Sequence, residues 1–189
     1  VTGVPLGDGE VVAADLVLVG VGIRPNVELA VGAGLRVDNG ILVDEHLRTS
    51  HPDVYAAGDV ASTWHPELGE RLRVEHWANA RRQGAVAAPA MLGQPATDVQ
   101  PPYFFSDQYD LGMEYTGYIG RRGYDQVVFR RFPGPGQVIV FWLLDGRLLA
   151  GMNVNVWDIA SDIERLVVSG KRLDSDSLAD PSLPLEALL

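Results

Sequence analysis

Apolar positions in this chain fall into two kinds of run. Before residue 100 they are short and continuous, as in Leu16-Val17-Leu18-Val19, Ile41-Leu42-Val43 and Val54-Tyr55-Ala56-Ala57. Runs of that length, rich in β-branched residues and bounded by Gly, Pro, Asn or Asp, predict buried strands. The turn signal Gly7-Asp8-Gly9 closes the stretch from Val1 to Glu10, so the opening predicts a β-hairpin through Val11-Val12 that feeds a buried strand at Leu16–Val19. Asn26 stands where it could cap a short helix, Val27 to Ala33, ended by Gly34; Leu35 to Val43 then predicts strand, turn at Asn39-Gly40, strand. Ala61 to Glu70, with Trp64 and Pro66, predicts a loop. The small residues Ala78, Ala80, Ala85, Ala87 and Ala88 predict a helix packed close to its neighbours and ended by Gly93.

Gln94 to Pro102 shows no periodicity and predicts a linker. After it the pattern changes: aromatics become denser, and Tyr115–Ile119, Val127–Phe132, Val138–Leu144 and Arg147–Val154 predict antiparallel strands, two of them joined by a hairpin turn at Asp145-Gly146. Asn155 or Asp158 starts a helix, Ile159 to Ser169, with Ile159, Ile163, Leu166 and Val167 on one face and Gly170 at its end. The acidic stretch Asp174 to Asp180 leads into a short tail.

The chain has 189 residues, enough for one medium domain or two small ones, and 47% of them are hydrophobic, enough for a core. With 25 acids against 15 bases its net charge is −10, which argues against nucleic acid as a partner. No apolar run is long enough to span a bilayer and no signal peptide opens the chain, so the expectation is a cytoplasmic protein that makes no membrane contact. There is no Cys, which excludes disulfides, thiolate metal sites and a redox-active dithiol. His46, His51, His65 and His76 lack ligand spacing, so no metal site is expected.

Candidate chemistry centres on Gly58-Asp59, directly after the run Val54–Ala57. Ligands of open α/β sheets collect at the carboxyl ends of strands, where a Gly lets a ligand approach the backbone and an Asp can accept hydrogen bonds from sugar or polyol hydroxyls. An ordinary turn with Asp59 as a helix cap is the alternative. Gly20-Val21-Gly22-Ile23-Arg24-Pro25 imitates the start of a dinucleotide fingerprint, but Pro25 stands where the third Gly should be, and we read it as a decoy.

The stretch T-S-H-P-D-V-Y-A-A-G-D, Thr49 to Asp59, resembles the second flavin-binding motif of the two-dinucleotide-domain flavoprotein reductases, the pyridine nucleotide-disulfide oxidoreductase superfamily. E-H-W-A-N-A-R-R-Q-G, Glu75 to Gly84, resembles a signature of the members serving ferredoxins, rubredoxins and putidaredoxin-like proteins, and P-Y-F-F-S-D-Q-Y-D, Pro102 to Asp110, resembles the opening of their C-terminal domain, with Phe105 in place of the usual Trp. The resemblance implies a fold that is α/β plus α+β: part of an FAD/NAD(P)-binding βαβ-type domain, then a reductase C-terminal domain with an antiparallel sheet and helices. It implies that residues 1–22 end an NAD(P)-binding domain, 23–100 form the second segment of the FAD-binding domain, and 101–189 form the C-terminal domain.

The same resemblance implies that Gly58 and Asp59 meet the ribityl chain of FAD. It places Glu75, His76 and Trp77 at a helix start under the flavin's pyrimidine edge, with the Trp77 ring near the nicotinamide of NAD(P)H and Gln83 as a further contact. It implies electron transfer from NAD(P)H through FAD to a ferredoxin-like iron–sulfur carrier, with no side chain acting as acid or base and Arg121, Arg122, Arg130, Arg131 and Arg147 available to an acidic carrier. The two G-x-G-x-x-G folds of a complete enzyme are not in this sequence, so the chain is expected to be a C-terminal portion that is inactive alone. An NAD(P)H oxidase or quinone reductase of the same architecture stays open, as do a homodimer and a non-catalytic dimerisation or docking module.

Overall fold

A computed structural model of the chain describes residues 2–189; Val1, with which the expected hairpin region opens, lies outside the described residues. The first element is a small hairpin, β1 (Val4–Pro5) with β2 (Val11–Val12), paired Val4 to Val12 across the expected Gly7–Gly9 turn. Leu16–Val19 departs from expectation. It forms no strand, and Leu16 and Leu18 are 88% and 95% exposed. An apolar strand needs neighbours on both sides to be buried, and among the described residues none pairs with this one.

Helix α1 (Glu28–Gly32) follows, shorter than expected, with Val27 rather than Asn26 at its N-cap and no side-chain cap hydrogen bond. Strands β3 (Val37–Asp38) and β4 (Gly40–Val43) pair antiparallel across Asn39. The expected loop at Ala61–Glu70 is instead a hairpin of β5 (Ala61–His65) and β6 (Glu70–Leu72). Polar Ser62, Thr63 and His65 gave this segment the look of a loop, yet all three are buried, and the side chains of Thr63 and His65 are hydrogen-bonded. Thr63 accepts from Gln83 at 3.0 Å, while His65 accepts the Leu68 N–H at Nδ1 and so donates from Nε2 to the Gln100 carbonyl. β5 runs parallel to β4, and the Arg71 Nη1 donates to the carbonyls of Val43 and Ser62 at 2.7 and 2.8 Å, tying the parallel pair together. The four-stranded sheet has the order β3-β4-β5-β6.

Helix α2 (Trp77–Met91) lies along this sheet, with Ala87 in a small core of Val43, Leu47, Ala56 and Ala61. Pro89 removes a helical N–H near its end, and Gly93 adopts a positive φ just past the cap.

The second half is a five-stranded antiparallel sheet in the order β7 (Tyr103–Gln108), β8 (Leu111–Gly117), β11 (Arg147–Val154), β10 (Val138–Leu144) and β9 (Gln126–Arg131). Its four expected strands are present within a few residues, and β7 is added. One face carries Ile139, Phe141, Leu143 and Leu148 against Ile163 and Leu166 of helix α3 (Ala160–Ser169), which ends at Gly170 in the left-handed region. Ile159, not Asn155 or Asp158, is the N-cap of α3; both of those residues have positive φ in the turns that lead into it. A further helix, α4 (Ser175–Ala179), lies in the acidic stretch and is capped by Asp174, which accepts from the Ser177 N–H. On the other face, Phe104 stacks on Tyr115 at 4.9 Å and Tyr115 meets Trp142 at 5.8 Å.

Candidate functional site

Val54–Ala57 is not a strand but an isolated bridge, Arg48 to Tyr55, closing a turn through His51, Pro52 and Asp53. Pro52 cannot donate to a ladder, and Val54 bonds back to the His51 carbonyl, so pairing stops after one residue. The turn is nevertheless anchored, since the Tyr55 hydroxyl donates to the Ala90 carbonyl of α2 at 3.2 Å. The chain then enters Gly58 at φ +80°, in the left-handed region. A Cβ at Gly58 would lie 3.4 Å from the Ala80 side chain, so the turn rests directly on the first part of α2. Asp59 is exposed, and its carboxylate has no hydrogen-bond or ion-pair partner among the described residues. The bland alternative, Asp59 as a helix cap, is excluded because no helix starts there.

Arg73 joins Asp59 to Glu75. Its Nη1 donates to the Asp59 carbonyl at 3.1 Å, its Nη2 pairs with the Glu75 carboxylate at 2.6 Å, and its Nε donates to Asn39 at 3.1 Å. Glu75 is therefore held by a cation rather than free. His76 is the N-cap of α2 and accepts the Ala78 N–H at Nδ1, 3.2 Å away. The Phe105 N–H also points at the imidazole, 3.4 Å from Nε2. A neutral imidazole has one acceptor nitrogen, so only one of these contacts is a hydrogen bond, and the Ala78 contact is the shorter. Phe105 itself packs edge-on against the His76 ring at 5.0 Å, which brings the opening of the C-terminal sheet to the start of α2. Trp77 is 62% exposed, with the Arg81 guanidinium 4.6 Å from its ring centre. The backbone N–H groups of Trp77 and Asn79 have no partner among the described residues, so the helix offers donors and its positive dipole end beside the Gly58-Asp59 turn.

Gln83 is placed differently from expectation. It is buried, away from the exposed surface of the turn, and its Oε1 accepts the Gly58 N–H at 2.7 Å. Its Nε2 donates to Thr63 and to Asp98 at 3.0 and 2.8 Å. Asp98, also buried, takes the Arg82 Nε on its other oxygen at 2.9 Å, and Arg82 continues to Asn79 and the Pro101 carbonyl. The expected linker 94–102 is thus a strap, held at Ala96 by His46, at Asp98 by the Glu45 carbonyl and at Gln100 by His65. Polar residues spaced along a segment without periodicity gave no sign of this; the signal that existed was Asp98, a lone acid in an otherwise uncharged stretch.

Of the arginines offered to a carrier, Arg130 is internal. It is 2% exposed and donates to the carbonyls of Leu178, Leu183 and Ser177 at 2.7, 2.8 and 3.0 Å, and burial pulls its pKa down. Arg121 and Arg122 line an open cleft of about 670 Å³ with Glu67, Glu70 and Tyr118 between the β5–β6 hairpin and the second sheet.

Residues 1–84 match the family model described as pyridine nucleotide-disulphide oxidoreductase, and residues 103–189 match the model described as reductase C-terminal. The chain belongs to this reductase family. The ferredoxin–NAD(+) reductase component of the anthranilate 1,2-dioxygenase system of Burkholderia cepacia is 42% identical over 94% of this chain and 44% of its own length. A ferredoxin reductase from Rhodopseudomonas palustris superposes with a TM-score of 0.90 at 36% identity, over all of this chain and 46% of that one. The reductase of a covalent putidaredoxin reductase–putidaredoxin complex superposes with a TM-score of 0.88 at 35% identity, over 99% of this chain and 44% of that one. The chain therefore spans about 44% of the length of the curated relatives it matches. Those relatives are named as a ferredoxin–NAD(+) reductase component and a putidaredoxin reductase, and the chain has the fold of the solved ferredoxin reductase.

Proposed function

We propose that the whole protein is an NAD(P)H-dependent flavoprotein reductase that passes electrons from FAD to a ferredoxin-like iron–sulfur carrier. The observation that carries the proposal is the unpartnered Asp59 carboxylate, on a left-handed Gly58, beside the open first turn of a 15-residue helix. These residues fit a flavin. Asp59 would accept hydrogen bonds from ribityl hydroxyls, and Gly58 leaves the approach clear of a side chain. The N–H groups of Trp77 and Asn79 would face the pyrimidine edge, where a helix N-terminus favours negative charge. Arg73 holds the Asp59 backbone in register with Glu75, and the exposed Trp77 ring is available to a nicotinamide. Bound FAD would supply two-electron acceptance from NAD(P)H and one-electron delivery to the carrier.

The domain reading follows: residues 1–22 as the end of an NAD(P)-binding domain, 23–100 as a segment of the FAD-binding domain and 101–189 as the C-terminal domain. The carrier reading is supported by the relatives named for ferredoxin and putidaredoxin. No helix of the described residues is long and apolar enough to cross a membrane, and the cytoplasm is the compartment we assign. The test is NADH- and NADPH-dependent reduction of a ferredoxin by the purified whole protein, followed spectroscopically. Carrier reduction that rises with bound flavin supports the proposal; a flavin-loaded protein that oxidises NAD(P)H only with oxygen or a quinone points instead to the oxidase or quinone reductase.

A further inference from the structure

Among the described residues no hydrogen bond joins the strap directly to the Gly58-Asp59 turn, yet one side chain links them. The Gln83 amide has an acceptor end and a donor end, and Asp98, an ionised acid, can only accept. Asp98 therefore faces Nε2, at 2.8 Å, and turns Oε1 towards the Gly58 N–H, at 2.7 Å. Asp98 is fixed in turn by Arg82 at 2.9 Å and by its own backbone N–H on the Glu45 carbonyl at 2.7 Å. Each member of the chain is buried or half-buried, where a misdirected donor has no water to turn to.

We propose that Asp98, acting through Gln83, is the positioning residue of the Gly58-Asp59 turn, so that the strap leading to the C-terminal sheet sets the turn in the conformation that receives a flavin's ribityl chain. The inference rests on the flavin reading above and adds to it a residue remote from the cofactor. The orientation of the buried Gln83 amide is thereby fixed: rotation would bring Nε2 against the Gly58 N–H, donor against donor. Thr63, the second acceptor at Nε2, holds the same orientation more weakly because its hydroxyl can rotate.

The test is amide hydrogen exchange of the whole protein, followed by mass spectrometry at the peptides that hold Gly58 and Phe141, with Gln83→Met, Asp98→Ala and Thr63→Val beside the unaltered protein. Exchange at Gly58 is expected to rise about tenfold or more in Gln83→Met and Asp98→Ala and less in Thr63→Val, while Phe141 in the far sheet keeps its protection. Thr63→Val, which unpairs no charge, gives the reading if Asp98→Ala does not fold. Unchanged Gly58 exchange, or a rise shared equally by Phe141, would overturn the proposal in favour of a stabilising role alone. FAD affinity of the whole protein then tests the functional half, with a rise of about tenfold in Kd expected for Gln83→Met. A variant with a loosened Gly58 and unaltered FAD affinity contradicts positioning. Asp59→Ala separates the two ideas: if it binds FAD as the unaltered protein does, the flavin reading fails, whatever Gly58 does.

Discussion

The two halves of the molecule treat apolar sequence in opposite ways. In the C-terminal sheet, Val138–Leu144 is apolar throughout and has strands on both sides and α3 over one face; Phe141 and Leu143 are fully buried. In the first half, Leu16–Val19 is as apolar but has no neighbours among the described residues and lies open. Burial is thus set by the neighbours a strand has, not by its own hydrophobicity. The C-terminal half holds the larger core, whereas the first half adds to its small core of Val43, Leu47, Ala56, Ala61 and Ala87 a set of polar bonds: Arg71 across β4 and β5, Arg73 between Asp59 and Glu75, and Gln83 with Asp98 beneath the turn.

That contrast can be broken by substitution. Phe141→Ala should lower stability by about 3–5 kcal/mol in urea unfolding. Leu18→Ser, as drastic on paper, should change it by less than about 0.5 kcal/mol in this chain. A large loss at Leu18 would mean that the run is buried in solution. Next in size is Arg130→Met, which orphans three carbonyls in α4 and the tail and should cost about 3 kcal/mol, read in the same unfolding experiment.

Gly58→Ala acts on the other half. An L-residue at φ +80° costs about 1–2 kcal/mol, and the new methyl meets Ala80, so the expected result is a modest loss of stability with a larger loss of flavin retention.

A further effect is one of pH. Burial, then the hydrogen bond to Glu114 and its charge, raises the Tyr103 pKa to about 12, and burial with the neighbouring Tyr118 raises that of Tyr115 to about 12. Because the folded values lie above the unfolded one near 10, this contribution is complete below about pH 10 and is lost as pH rises through about 12. Thermal melts should therefore weaken between those values, less so in Tyr115→Phe; phenolate absorbance that develops with a midpoint near pH 10 for every tyrosine would contradict it.

Much of the fold was legible because local patterns agreed with their surroundings. Four of the five strands of the second sheet, the Asp145-Gly146 turn, α2 and the Gly170 stop all follow from periodicity and turn chemistry. Several of the failures share a cause, which is that polar residues satisfied inside the protein look the same in sequence as polar residues facing water. Ser62, Thr63 and His65 hid a strand, Asp98 hid a strap, and Arg130 passed for a surface charge. At the site, Gly58 and Asp59 were expected at the end of a buried strand; they lie instead on a turn after an isolated bridge, against the first part of α2. Gln83 was marked by the separate signature at Glu75–Gly84 as a further flavin contact, yet its side chain is buried against Gly58, because spacing along a helix does not say which face a single polar residue will find buried.

The measurement that tests the central claim most directly is FAD binding by the whole protein with and without Asp59→Ala, followed by flavin fluorescence and the visible spectrum. The account predicts that the unaltered protein retains flavin through desalting and that Asp59→Ala raises the Kd by about tenfold or more, the worth of hydrogen bonds from hydroxyls to a charged acceptor. Equal affinity in the two proteins would contradict it and leave the Gly58-Asp59 turn as structure alone.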